Sequence, residues 1–155
     1  MKHFFLIMAA LLSLAACSRN SGTDEPAPQP ASPILGTWKF TGYKSINGVN
    51  GSEFDPYTAD NCQGQNTFVF NTDGTAVETL HSSLKQTCIV HRTTNYTYSY
   101  NAQTKILTLT TNGGTPQTKE VIKLDNHTLE YVYNISDRNG DGTPDKEVLI
   151  YTRAN

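Results

Sequence analysis

The sequence predicts an all-β domain, an eight-stranded antiparallel meander that closes into a barrel or a flattened barrel-like sandwich. Three observations lead to this prediction. Thr, Tyr, Val, Ile and Phe recur along the chain, and these β-branched and aromatic residues favour pleated strands. From Ile34 onward, short alternating runs of apolar and polar residues are separated by turns rich in Gly, Asn and Asp. No helical spacing of apolar residues occurs after residue 16.

Each predicted strand is a short run whose alternate residues are apolar. The first run places Trp38 and Phe40 on one face, and the turn at 71–74 ends in Gly74, which tolerates a positive φ. The stretch 47–65 is rich in Gly, Asn and Asp and is expected to be irregular. The predicted strands are 36–41, 67–70, 75–81, 92–100, 105–111, 118–124, 128–135 and 147–152. Eight strands suit a barrel that holds side chains or one small ligand.

The N-terminal segment 1–16 predicts a secretory signal peptide. Lys2 and His3 precede an apolar run that is too short to span a bilayer, and small residues follow it. Leu14-Ala15-Ala16-Cys17 resembles the lipobox of bacterial lipoproteins, which implies an acylated Cys17 as the mature N-terminus. An ordinary signal peptide with an incidental cysteine is the alternative.

The segment 17–33 is predicted to be a tether, because alternate prolines favour an extended, polyproline-like chain. The barrel domain then spans 34–155. The lipoprotein resemblance implies attachment to a membrane through the N-terminal lipid and a place in the cell envelope. Ser18 is compatible with sorting to the outer membrane.

Charge and cysteine content limit the classes of function and of site that the chain can have. The chain has 12 Lys and Arg against 14 Asp and Glu, so no basic surface for nucleic acid is expected. In an exported chain, Cys62 and Cys88 predict a disulfide. A metal site with His81, Cys88 and His91, or a catalytic thiol, is the alternative, but the ligand spacing is loose for metal. The domain is expected to be a monomer.

The acidic segment 137–145 predicts a structural Ca²⁺ site of weak affinity. Its pattern, D-x-N-x-D-G-x-x-D, spaces oxygen ligands as in calcium-binding loops. Hard Ca²⁺ prefers such carboxylate, amide and carbonyl oxygens. The predicted ligands are Asp137, Asn139, Asp141, the Thr143 carbonyl and Asp145. A polar loop without an ion is the alternative.

Aromatic residues on the predicted inner faces are candidates to line a ligand pocket. They are Trp38, Phe40, Phe68, Phe70, Tyr96, Tyr98, Tyr100, Tyr131 and Tyr133. Small barrels commonly fill their interior with such side chains, so a packed core is the alternative. The row of Tyr96, Tyr98 and Tyr100 is the strongest candidate for a contact surface, because a tyrosine hydroxyl suits a wet boundary.

The order of motifs resembles a known family. Leu35-Gly36-Thr37-Trp38 is similar to the Gly-X-Trp start of lipocalins. Cys62, the run 68–75, Cys88, the run 107–109 and the run 129–131 follow in the order of the lipocalin-like lipoprotein domains common in Bacteroidetes. The resemblance spans residues 33–153 and departs from the lipocalin pattern where tyrosines replace a tryptophan on the fourth strand. It implies a lipocalin-like β-barrel and a small apolar ligand.

No catalytic motif of the common hydrolase, phosphate-binding or thiol-redox types occurs, so an enzyme is not expected. The leading hypothesis is a lipid-anchored module that binds a small hydrophobic ligand and carries a structural calcium loop. The alternative is a protein- or glycan-interaction module with a filled barrel.

Overall fold

The computed structural model describes residues 32–154, which form nine antiparallel strands and one short 3₁₀ helix. The strands are β1 Gly36–Ile46, β2 Glu53–Thr58, β3 Thr67–Phe70, β4 Thr75–Leu84, β5 Thr87–Asn101, β6 Ile106–Thr111, β7 Gln117–Leu124, β8 Thr128–Ser136 and β9 Asp145–Arg153. The 3₁₀ helix, Gln63–Gln65, precedes β3. Within 32–154, no helix has the length and apolar character needed to cross a membrane. The predicted signal peptide, Cys17 and most of the tether lie outside the described residues.

Eight of the strands close into a barrel, which confirms the predicted architecture. Each strand from β3 to β8 pairs with the next in the chain, and β1 closes the ring by pairing with β3 on one edge and β9 on the other. Because consecutive strands run up and down, the β4–β5, β6–β7 and β8–β9 turns lie at one end of the barrel. We call this the hairpin end.

The ninth strand, β2, corrects the prediction that 47–65 is irregular. It pairs with the second half of β1, on the same edge as β3. Its side chains are mostly exposed, Asp55 has a φ of 49°, and Pro56 removes a backbone donor, so no apolar alternation marks it. Its close approach depends on Gly42, where a Cβ atom would lie 2.0 Å from the Tyr57 carbonyl oxygen.

The disulfide between Cys62 and Cys88 is present, with the two Cα atoms 5.4 Å apart. Cys62 lies immediately before the 3₁₀ helix, and Cys88 is the second residue of β5. The bridge therefore links the β2–β3 connection to the β4–β5 hairpin. Because both thiols are consumed, the metal-site and catalytic-thiol alternatives are excluded.

One continuous hydrophobic core lies inside the barrel. Its members come from β1, β3, β4 and β6 to β9 and from the segment before β1, and all are at most 7% exposed. They are Ile34, Trp38, Phe68, Phe70, Ala76, Leu107, Leu109, Val121, Leu129, Tyr131 and Tyr151. The apolar residues whose alternation predicted the strands are therefore those that face the inside of the barrel.

Strand β8 departs from the single inner face that the sequence predicted for it. Tyr131 lies in the core, but the pairing with β9 shifts register between Val132 and Asn134, which is a β-bulge. Tyr133 is the extra residue of the bulge and is 37% exposed, and Ile135 beyond it is 61% exposed. The prediction that Tyr133 continues the inner face is wrong, because the extra residue breaks the two-residue period.

Candidate functional site

The aromatic residues predicted to line a pocket mostly come together inside the barrel. Buried ones are Trp38, Phe68, Phe70 and Tyr131, and those partly buried against the same core are Phe40, Tyr96, Tyr98 and Tyr100. Neighbouring rings are in contact, with centroids 4.4 Å apart for Phe68 and Phe70 and 4.9 Å apart for Phe70 and Tyr98. The tyrosine row of β5 therefore packs inward, which corrects its interpretation as an outer contact surface. Tyr133 lies apart from this group.

Polar atoms interrupt the aromatic interior at one level. The Tyr96 hydroxyl donates a hydrogen bond to the Glu78 carboxylate at 3.1 Å, and the hydroxyls of Tyr131 and Tyr151 are 3.4 Å apart. Burial raises the pKa of each of these three tyrosines, and the Glu78 charge raises each further. The Tyr96 proton is donated to Glu78, and one proton of the Tyr131 and Tyr151 pair lies between those two hydroxyls, so one hydroxyl of that pair keeps a proton for a further hydrogen bond.

Two surface clefts reach residues of the core. The first, of about 570 Å³, lies where β4, β5 and β6 meet, and Ala76 and Tyr96 are among its lining residues. The second, of about 440 Å³, includes Tyr100, Val121 and Leu124 in its wall. Both volumes fall within the range of small-molecule sites, which run from ~300 to ~1,000 Å³. Tyr96 and Tyr100, which pack against the core, therefore each line a cleft that is large enough for a small ligand.

A cation–aromatic contact closes the barrel at the end opposite the hairpin end. The Trp38 ring is fully buried, and its indole N–H donates to the Ile34 carbonyl at 2.8 Å. The Arg153 guanidinium lies 4.1 Å from the centre of that ring and donates to the carbonyls of Pro33 and Leu35 at 2.7 and 2.5 Å. These bonds tie the last strand to the segment before the first.

At the hairpin end, a buried carboxylate organises the rim. Glu147 is 7% exposed and accepts hydrogen bonds from the Tyr133 hydroxyl at 2.6 Å, the Asn134 amide at 2.8 Å and the Ser136 hydroxyl at 2.5 Å. The bonds from Ser136 and Tyr133 hold the pKa of Glu147 below its usual value. Burial, and next the hydrogen bond to Glu147, raise the pKa of Tyr133 to about 12. Tyr133 is thus a rim residue.

The acidic loop folds around its own backbone. Asp137 accepts hydrogen bonds from the N–H groups of Gly140 and Gly142 at 2.7 and 2.9 Å, and Asp141 accepts one from Thr143 at 2.8 Å. The bond from Thr143 is the main reason why the pKa of Asp141 is lowered. The carboxylates of Asp137 and Asp141 are therefore held by backbone N–H groups of the loop itself.

Asp145 anchors this loop from below. It is fully buried and accepts backbone N–H bonds from Gly48 at 2.9 Å, Arg138 at 3.0 Å and Asn139 at 3.3 Å. A carboxylate can accept about four hydrogen bonds, so roughly one acceptor position of Asp145 is left for another ligand. Within 32–154, no group of three or more His, Cys, Asp or Glu is placed to hold a metal ion. A Ca²⁺ site here would therefore also need amide and carbonyl oxygens, which are ligands that suit this ion.

Sequence reasoning missed three residues of the interior and of its closure. Glu78 and Tyr151 lie in strands that were predicted correctly, but each meets its partner tyrosine diagonally on the adjacent strand of a hairpin, and the sequence alone does not fix that register. Arg153 contacts a ring that is 115 residues earlier in the chain, counting from Trp38 to Arg153. Only the β1–β9 pairing that closes the barrel brings Arg153 to Trp38.

Comparison with known families decides the classification. Residues 34–131 match the family described as the lipocalin-like domain, which covers β1 to β7 and the first part of β8. The chain belongs to the lipocalin-like domain family. The match confirms the predicted resemblance to lipocalin-like domains. Comparison with curated proteins found no match.

Solved structures similar to this lipocalin-like domain include mammalian lipocalins at low identity. A complex of bovine odorant-binding protein with a selenium-containing odorant is 15% identical, covering 85% of this chain and 77% of that one, with a TM-score of 0.40. The bovine lipocalin allergen Bos d 2 is 14% identical over 79% and 73% of the two chains, with a TM-score of 0.39. Hamster aphrodisin is 10% identical over 79% and 76%, with a TM-score of 0.37.

Proposed function

We propose that this protein is a lipid-anchored lipoprotein of the cell envelope whose barrel binds a small apolar ligand with one hydrogen-bonding group. The observation that carries the proposal is the aromatic interior interrupted by the hydroxyls of Tyr96, Tyr131 and Tyr151 beside Glu78. Apolar walls with a few placed polar groups are characteristic of small-molecule sites. Membership of the lipocalin-like domain family supports a binding role.

The ligand site is expected where the first cleft meets the inner face of β5. Tyr96 belongs to both, since it packs against the core and lines the cleft. An apolar molecule there would contact the Tyr96 ring, and a polar group on it would exchange a hydrogen bond with this group of hydroxyls. The Tyr96 hydroxyl stays bonded to Glu78, so the carboxylate keeps a hydrogen-bond donor when a ligand covers it.

The test is a titration of the mature Cys17→Ser chain with N-phenyl-1-naphthylamine, an apolar dye that fluoresces in dry surroundings. We expect saturable binding with one site, and a loss of affinity of about tenfold in Tyr96→Ala, because an aromatic contact in a pocket contributes on the order of 1 kcal/mol. Ser99→Ala is the matched control, since Ser99 lies on the same strand with its side chain exposed.

The same titration decides between the two candidate functions. The contacts among Phe68, Phe70 and Tyr98 favour the alternative, a filled barrel that serves as a protein- or glycan-interaction module. Absence of saturable dye binding to a folded chain would reject the ligand site and leave that alternative.

The lipid anchor is proposed at Cys17, from the lipobox-like segment 14–17 and the proline-rich tether. Two or more acyl chains hold a protein on a membrane, whereas one binds marginally. We expect Cys17→Ser to abolish incorporation of labelled palmitate and to move the protein from the outer-membrane fraction to the soluble one. The double variant Cys62→Ser/Cys88→Ser, which also removes cysteines, should keep both properties. Palmitate labelling that persists in Cys17→Ser would reject the anchor.

A structural Ca²⁺ ion at the loop 137–145 is the third part of the proposal. Asp137, Asn139, Asp141, the Thr143 carbonyl and the remaining acceptor of Asp145 would hold it, and Ca²⁺ would offset the repulsion among the carboxylates. Since Asp145 also binds the N–H of Gly48, an ion there would stabilise the contact between the β1–β2 and β8–β9 turns.

A further inference from the structure

The β4–β5 hairpin extends beyond the strands on both sides of it. β3 pairs with β4 only as far as Thr79, and β6 pairs with β5 only from Tyr96 onward. The part of the hairpin between these two limits, residues 80–95, is therefore a two-stranded ribbon without a neighbouring strand among the described residues. We call it the projecting ribbon.

The tip of the projecting ribbon carries exposed apolar side chains. Leu84, Ile89 and Val90 are 57%, 39% and 56% exposed. Leu84 is an even number of residues from the core residue Ala76 along β4, so both lie on the same face of the strand. Ile89 pairs with Ser82, which lies on that face too. Leu84 and Ile89 therefore continue the inner face of the barrel outward, and Val90 lies on the other face of the ribbon.

The charge around this tip is positive. Lys85 forms the turn, His91 and Arg92 follow on β5, and no Asp or Glu occurs between Glu78 and Glu120. Acidic side chains near this end belong to other elements: β2, Asp60 beside the disulfide, the loop 137–145 and Glu147. The projecting ribbon itself carries cationic side chains and no carboxylate, so the electrostatic complement of its apolar tip is an anionic surface.

The tip is also held rigid. Lys85 and Gln86 both have positive φ, at 47° and 66°, in a turn where Asn and Gly are the usual residues. A two-stranded ribbon is marginally stable by itself, but the Cys62–Cys88 bridge fixes this one next to the residue that closes the turn. The strained turn and the covalent bridge together hold Lys85, Leu84 and Ile89 at a fixed place on the surface.

We propose that the tip of the projecting ribbon contacts an anionic lipid surface. Leu84, Ile89 and Val90 enter the interfacial region of the bilayer, while Lys85 and Arg92 lie among the phosphate groups. Apolar side chains flanked by basic ones are what interfacial binding requires, and the convex shape of a hairpin tip suits a deformable surface. The inner face of the ribbon then offers an apolar ligand a route between the bilayer and the barrel, a step that rests on the proposed ligand binding.

The test uses the mature Cys17→Ser chain, so that no acyl chain contributes, and vesicles that sediment. We expect binding to vesicles of three parts phosphatidylcholine to one part phosphatidylglycerol. Binding should be weaker by about tenfold to vesicles of pure phosphatidylcholine. It should also weaken by about tenfold in about 0.5 M salt, because surface charges are then largely screened. The variants Leu84→Ser/Ile89→Ser and Lys85→Glu should each lose about tenfold in affinity for the anionic vesicles.

The matched control is Val49→Ser, because Val49 is 68% exposed in a turn of a different hairpin. It should bind within about twofold of the parent chain. Absence of parent binding to anionic vesicles, or an equal loss in Val49→Ser, would overturn the proposal, and thermal melting confirms that each variant is folded. Because vesicle binding is measured without dye and dye binding without vesicles, failure of one proposal is distinguishable from failure of the other.

Discussion

Removal of the disulfide by the double variant Cys62→Ser/Cys88→Ser is expected to lower the free energy of unfolding by about 3.5 kcal/mol. The bridge closes a loop with a sequence separation of 26, and the chain-entropy relation for a loop of this size gives that value. The loss arises mainly in the unfolded state, which gains conformations once the loop is open. Urea denaturation of the parent and variant chains measures the difference.

The structural consequence should be local. The bridge holds the projecting ribbon, whereas the barrel core lies below it, so we expect hydrogen exchange to speed up most for the amides of 87–95. The amides of β8 and β9, which pair along most of their lengths, should be the slowest to exchange in both proteins. Cys17→Ser is the control for loss of a cysteine as such and should leave the free energy of unfolding within ~0.5 kcal/mol of the parent. Equal stability of the double variant and the parent would show that the bridge adds no stability.

Most of the fold follows from the sequence because a barrel strand exposes one face and buries the other. The runs that contain Trp38, Phe68 and Leu107 were recognisable because their alternate apolar residues all reach the core. β2 was missed for the same reason, since it buries no face and carries a proline. The strand pairing of β2 comes from the close approach that Gly42 permits, which is a contact between segments and leaves no local pattern.

The candidate site was predicted only in part. Its aromatic side chains lie mostly on predicted inner faces, and the disulfide was predicted from a pair of cysteines in a chain expected to be exported. The roles of Glu78 and Tyr151 depend on the register of the β4–β5 and β8–β9 hairpins, which places each beside a tyrosine of the neighbouring strand. The role of Arg153 depends on the β1–β9 pairing that closes the ring. Tyr133 was misplaced because a single bulge reverses the alternation that was used to predict its face.

Calcium is expected to raise the melting temperature by roughly 10 °C if the loop 137–145 binds it as proposed. An ion that binds only the folded state stabilises by RT ln(1 + [Ca²⁺]/Kd). With a Kd of about 10⁻⁴ M and about 10 mM calcium, the gain is ~2.7 kcal/mol. In a domain of this size, each kcal/mol of added stability raises the melting temperature by a few degrees. Calorimetry in calcium and in chelator measures the shift, and magnesium should give much less because it dehydrates reluctantly.

The informative variant is Asp141→Asn, which removes a charge but keeps an oxygen that can accept the Thr143 N–H bond now made at 2.8 Å. It should lose most of the calcium-dependent shift while the melting temperature in chelator changes little. Asp73→Ala is the matched control, because Asp73 accepts a comparable hydrogen bond from the backbone N–H of Thr75 at 2.9 Å. The next carboxylate along the chain is Glu78, so this turn holds no cluster of acidic residues. Its calcium shift should equal that of the parent. Identical melting in calcium and chelator for the parent chain would mean that the loop is held by the buried Asp145 and its backbone partners alone.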